Sequence, residues 1–221
     1  MATSPPSVCE LFEKVSVTKK AKPKRKLVEG FFDAWKGGFF PLLRLLLPQL
    51  DKDRNTYGMK ETTLGKAIVA ILDISLDSAD ANALIHWRRP TSGGAGKDAG
   101  DFGIVAYGVL KDRTPGTPTL TVADVNARLD DLNRATDKTG RYAVLRHLVQ
   151  TATALEYKWI IRIILKDLKI HSSEQTLLKY YHPNALQCVP CVCLPAFVAF
   201  FFDPRDDSFY GLISFAVPLF A

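Results

Sequence analysis

The sequence predicts an all-α protein: a compact multi-helix domain over residues 1–187, followed by an irregular Cys- and Phe-rich hydrophobic tail over 188–221. Two patterns carry this reading. Apolar residues recur at the three-to-four spacing of a helix face through most of the first 190 residues, and no convincing two-residue alternation of a half-buried strand competes with it. At least seven segments show the helical pattern, and 221 residues suffice for one sizeable core.

The first region holds Leu11 and Phe12, then a basic run of Lys19, Lys20, Lys22, Lys24, Arg25 and Lys26, then Leu27, Val28, Phe31, Phe32 and Trp35. The run reads as a nuclear-import signal, a phosphate contact or a solvated helix start. The aromatic residues after it suit a core face or a surface that accepts a partner's helix. A second helix is expected over Phe39–Leu50 and a third over Glu61–Leu72, joined by a polar connection with Arg54, Tyr57 and Lys60. Helical character returns over Ala81–Trp87. The next segment, RRPTSGGAGKDAGD, is too polar and Gly-rich for regular structure. Arg88, Arg89 and Lys97 there can follow a groove, with Gly93, Gly94 and Gly96 permitting close approach to phosphates.

That loop is not a P-loop, because Asp98 follows Lys97 where a hydroxyl residue is required. Asp98 and Asp101 are read as helix caps rather than acid-base groups. An apolar helix follows from Phe102 to Leu110, ended by RTPGTP. Thr121 and Asp124 cap the next helix, whose inner face carries Val122, Val125, Leu129 and Leu132; another contains Tyr142, Leu145, Leu148 and Val149.

The stretch from Ala154 to Tyr181 is the most informative. Lys158, Arg162, Lys166 and Lys169 follow spacings of four, four and three, so a continuous helix would put them on one face of an otherwise apolar cylinder. Ser172 and Gln175 have capping-box spacing, which aims the next helix start at that face. The stripe is either a phosphate grip or the solvated edge of a core helix.

Charge favours a polyanionic partner. The net charge is +6, and residues 191–221 contain one Arg and three Asp, leaving 28 basic against 20 acidic side chains before them. Met1–Lys14 has no apolar leader, which suits a nuclear or cytosolic protein with no membrane span. Cys188, Cys191 and Cys193 lack a second ligand pair for zinc, and His86, His147, His171 and His182 form no ligand spacing, so no metal residue is assigned. The tail is a hairpin or a foreign end left by truncation or a gene-model artefact.

Four ordered blocks carry a family resemblance: FFPLLRLLLPQLDKDRNTYGMKETTLGK from Phe39, KDAGDFGIVAYGVLKDR from Lys97, LTVADVN from Leu120, and ALEYKWIIRIILKDLKIHSSEQTLL from Ala154. Over residues 8–187 the chain resembles the N-terminal DNA-binding domain of eukaryotic ATP-dependent DNA ligase IV. The resemblance implies an all-helical, monomeric, nuclear module of non-homologous end joining that grips double-stranded or nicked DNA across the minor groove while other domains do the chemistry. DNA contacts are then expected from Arg88, Arg89, Lys97, Lys158, Arg162, Lys166, Lys169, Ser172 and Ser173. It also implies a site for a peptide of the Artemis nuclease, carried here by Leu11, Phe12, Val28, Phe31, Phe32 and Trp35.

The chain departs from the family pattern at two places in this domain. The connection from Trp35 to Phe39 is shorter, and His171 stands where a glycine is usual. Beyond it, ATP and Mg2+ belong to the full-length family, whose K-x-D-G lysine receives AMP; the motif is absent from this sequence. No catalytic residue is assigned, and this chain is expected to bind DNA without completing ligation. The competing readings are a module that docks the nuclease peptide without useful DNA affinity, and an enzyme whose chemistry is unrecognised or completed by another subunit.

Overall fold

The computed structural model describes residues 7–54, 56–88 and 100–181. Among the described residues the chain forms ten α-helices and no strand. Arg89, Lys97, Asp98, the three loop glycines, His182 and the 188–221 tail lie outside them.

Helices α1 (Val8–Val17) and α2 (Ala21–Ala34) pack together, burying Leu11, Phe12 and Val15 from one and Val28, Phe31 and Phe32 from the other. Pro23 sits in the first turn of α2, where its missing N–H is not needed. Helix α3 (Phe39–Leu46) is four residues shorter than the expected Phe39–Leu50. Pro48 is the reason: it disfavours the helical region for Leu47, which sits at φ −127°, ψ 55°. The connection from Trp35 is a tight turn in which the indole Nε1 donates to Gly38 O at 3.3 Å and the ring covers Gly37, leaving no room there for a Cβ.

Helices α4 (Glu61–Ile71), α5 (Ala79–Ile85) and α6 (Phe102–Leu110) follow. Helix α5 starts two residues before the expected Ala81 because the Ser78 side chain accepts from Ala81 N. Gly65 allows α4 and α5 to approach: a Cβ there would stand 2.5 Å from the Leu84 carbonyl oxygen. Helix propensity alone favours alanine at such a position by about 1 kcal/mol. The clash is with backbone, which no rotamer change relieves, so Gly65→Ala is expected to destabilise the fold by roughly 1–3 kcal/mol in urea unfolding.

Helix α7 (Val122–Arg134) begins with the expected box, the Thr121 hydroxyl accepting from Asp124 N and the Asp124 carboxylate from Thr121 N. Helix α8 (Lys138–Thr151) packs on α7 and α4. Helix α9 (Ala154–Ile164) runs through the core against α6 and α1, burying Tyr157, Trp159, Ile160, Ile161, Ile163 and Ile164. Helix α10 (Glu174–Tyr181) closes on α2 through Phe32 and Tyr181, whose ring centroids are 5.4 Å apart.

A buried polar cluster ties the α3–α4 connection to α7. Arg54, 1% exposed, donates from Nε to Asp130 at 2.7 Å, from Nη1 to the Asn126 side chain at 2.9 Å and from Nη2 to the Asn126 carbonyl at 2.9 Å. Arg44 pairs with Asp51 at 2.8 Å beside it. Asn126 uses its amide on Pro41 O and Val122 O, so both of its ends are satisfied.

Candidate nucleic-acid interface

A capping box of Thr153 and Glu156, which the sequence reading missed, opens α9. Its end departs from expectation. The helix stops at Ile164, and the Lys166 N–H bonds to Ile163 O while the Asp167 N–H bonds to Arg162 O, both at 3.0 Å. This is a Schellman ending with lysine in the left-handed position where glycine is usual. Lys166, Lys169 and His171 all have φ between 51° and 55°. Each costs roughly 1 kcal/mol or more relative to a right-handed conformation. Three such residues within six persist only when the surroundings hold them.

The expected stripe is therefore not one exposed helical face. Lys158 is 12% exposed at its side chain, pairs with Glu13 at 2.5 Å and lies over the Trp159 and Tyr107 rings. Arg162 is 5% exposed, pairs with Asp101 at 2.7 Å and stacks on Trp159 with its guanidinium carbon 4.3 Å from the ring centroid. Its Nε and Nη1 have no hydrogen-bond partner among the described residues, and Nε packs against Gly103, 3.1 Å from where a Cβ there would stand. Asp101 has two roles, accepting from Arg162 while capping α6 through Gly103 N at 2.9 Å. Lys166 donates to Pro48 O at 2.7 Å and Asp51 O at 3.0 Å, and burial pulls its ammonium below the usual lysine range. Lys169 remains exposed, paired with Asp167 at 2.9 Å on the surface.

The cap of α10 lies one residue later than expected. Ser173, not Ser172, accepts from Thr176 N at 3.2 Å, so Ser172 and Gln175 make no capping box. Ser172 lies in the wall of a cavity of about 330 Å³ with Gln49, Lys166, Lys169 and His171. A cavity of about 530 Å³ shares Lys166, Asp167 and Lys169 with it, and its charged walls are Lys60, Arg88, Arg162, Lys166 and Lys169 against Glu61, Asp101 and Asp167. Arg88 is exposed and stacks on Trp87 at 4.5 Å, and Trp87 packs edge-on against Phe102. Tertiary structure thus gathers Arg88, Lys166 and Lys169 around one basic hollow, adds Lys60, and leaves Lys158 away from it. Lys60 carries no local signal beyond its charge.

Residues 6–182 match the family described as DNA ligase N terminus. The chain is similar to DNA ligase 4 of Gallus gallus, 39% identical over 197 residues, covering 81% of this chain and 21% of that protein. It is similar to DNA ligase 4 of Dictyostelium discoideum at 40% over 187 residues, covering 81% and 17%, and to DNA ligase 4 of Homo sapiens at 36% over 197 residues, covering 81% and 21%. The chain belongs to the DNA ligase N-terminal family. It spans about a fifth of the length of these DNA ligase 4 relatives.

In this ligase N-terminal domain, five of the six residues expected on the peptide surface are core. Leu11, Phe12, Val28, Phe31 and Phe32 are buried, Phe12 against Trp159 with centroids 4.7 Å apart and Phe31 stacked on Trp35 at 5.6 Å. Phe12 and Trp35 also line an apolar groove of about 350 Å³ with Val8, Cys9, Leu120 and Val125. Burial, reinforced by the charges of Glu156 and Glu13, pushes the Cys9 thiol up to about 12, so it is a neutral apolar wall of that groove. Among the described residues no helix is long and apolar enough to cross a membrane, and no group of three or more His, Cys, Asp and Glu could hold a metal ion.

Proposed function

We propose that the chain binds duplex DNA at nicks or aligned double-strand ends, as the N-terminal module of an ATP-dependent ligase of non-homologous end joining in the nucleus. The observation that carries this is the basic hollow between Lys60, Arg88 and Lys169, with Ser172 and Ser173 at the adjoining helix start. Lysine, arginine and serine groups at a helix start suit phosphate oxygens and read no bases. Arg88 and Lys169 are the contacts in this reading, Arg162 and Lys166 line the same hollow from less exposed positions, Lys158 lies away from it, and Arg89 and Lys97 are carried only by the sequence resemblance. Ligation chemistry is not assigned to this chain, because the sequence has no K-x-D-G lysine. ATP and Mg2+ would act in a nucleotidyltransferase domain, and the chain acts as a monomer on DNA.

Nicked-duplex binding across a salt series tests the assignment. Arg88→Ala and Lys169→Ala are each expected to weaken binding and lower the slope of log K against log salt by about one. Both side chains are exposed, so stability should stay within about 0.5 kcal/mol. Unchanged isotherms in both variants would remove the surface from consideration.

A second reading, docking of an aromatic peptide from an Artemis-like nuclease without significant DNA affinity, draws on the apolar groove beside Phe12 and Trp35. Peptide capture by a chain that fails to bind duplex at low salt would favour it.

A further inference from the structure

The basic run at the start of α2 contains one residue unlike its neighbours. Lys19, Lys20, Lys22, Arg25 and Lys26 are exposed, whereas Lys24 is 4% exposed. Its Nζ donates to Ile170 O at 2.7 Å and His171 O at 3.0 Å, across about 146 residues of chain. Lys24 has no carboxylate partner among the described residues, so its charge is spent on two carbonyls of the turn between α9 and α10. A buried ammonium without such acceptors would be strongly unfavourable.

We propose that Lys24 is a positioning residue for DNA binding, a strap from α2 that holds this left-handed turn in the shape that offers Lys169 and Ser172 to phosphate. The inference rests on the DNA-binding reading above and adds a residue outside the contact surface. Lys166, Lys169 and His171 are all left-handed, so the turn's own preferences oppose its shape and outside bonds must hold it. At the near end those bonds are Lys166 Nζ to Pro48 O and Asp51 O, and Gln49 Nε2 to Lys166 O at 3.0 Å. At the far end they come from Lys24.

The geometry has a directional consequence. A trans peptide is planar, with C=O and the following N–H on opposite sides. Drawing the Ile170 and His171 carbonyls towards Lys24 therefore aims the N–H groups of His171 and Ser172 away from it. Neither N–H has an acceptor among the described residues, and both residues line the smaller cavity. Loss of Lys24 frees these two peptides to rotate, and the donors then lose their common direction.

The test compares Lys24→Met with the unaltered full chain by amide hydrogen exchange and by nicked-duplex binding over a salt series. Removing two charge-assisted bonds is expected to speed exchange of the turn's bonded amides, Asp167 N–H and Lys169 N–H, by about tenfold or more and to weaken duplex binding by about tenfold. The salt slope is expected to stay the same, because no phosphate contact is lost. A fall in slope of about one would make Lys24 a phosphate contact and overturn the proposal. Unchanged exchange, or faster exchange with unchanged affinity, would also overturn it. If the unaltered chain binds no duplex, the DNA reading falls and the positioning role with it, while exchange still reports separately whether Lys24 straps the turn. Should Lys24→Met not fold, Gln49→Ala removes one of the three bonds at the near end of the turn from an exposed position. It is expected to weaken binding about threefold at unchanged slope, and unaltered affinity in that variant would sink the mechanism.

Discussion

Arg54→Met is expected to lower the unfolding free energy by about 3–5 kcal/mol, the cost of removing one partner from a buried charge cluster. Arg54 is 1% exposed and donates to Asp130, the Asn126 side chain and the Asn126 carbonyl, with Asp51 3.7 Å away. Its loss leaves Asp51, which is 2% exposed, with Arg44 alone and takes two acceptors from Asn126 out of use. In a protein of this size the change corresponds to roughly 10 °C in Tm, read by calorimetry. Arg25→Ala is the control: its pair with Glu29 is exposed, and its loss is expected to leave Tm essentially unchanged. A loss of similar size in both variants would contradict the account.

The same cluster sets an acid dependence. Burial pushes the Asp130 carboxyl up, but the Arg54 hydrogen bond and the charges of Arg54 and Arg44 outweigh it, holding Asp130 below the ordinary carboxylate range. A carboxylate with a depressed folded value stabilises fully above its unfolded value of about 3.9 and loses that contribution as pH falls through the folded one. The gap in stability between the unaltered chain and Arg54→Met should therefore narrow as pH falls below about 4.

Arg162→Ala is expected to cost about 3 kcal/mol of stability while leaving the salt slope of DNA binding unchanged. The guanidinium is buried between Trp159 and Gly103, and its carboxylate partner Asp101 also caps α6, so one truncation unbalances a buried charge and loosens a helix start. Urea unfolding and a salt series on the same preparation separate the two effects. A slope lowered by about one at unchanged stability would restore Arg162 as a direct phosphate contact.

Much of the architecture was legible along the chain. The Thr121–Asp124 box, the Asp101 cap and the apolar faces of α4, α6, α7 and α9 depend on neighbours within four residues, and a local pattern suffices to read them. The four ligase blocks were equally legible, and the family match over residues 6–182 agrees with them. What misled was continuity. Nothing between Leu165 and Lys169 is a glycine or a proline, so the periodicity ran on past Ile164 and joined Lys166 and Lys169 to a face they do not share with Lys158.

The sequence by itself determined the helical class, the ligase N-terminal membership and the positive balance of the body. Tertiary structure alone decided which cations remain outside. Lys24, Lys158, Arg162 and Lys166 are drawn inward by carbonyls and carboxylates distant in sequence, at Ile170, Glu13, Asp101 and Pro48, while Arg88 and Lys169 stay exposed. The physical reason is that a charge is buried only where acceptors meet it, and acceptors supplied by other helices leave no mark on the local pattern.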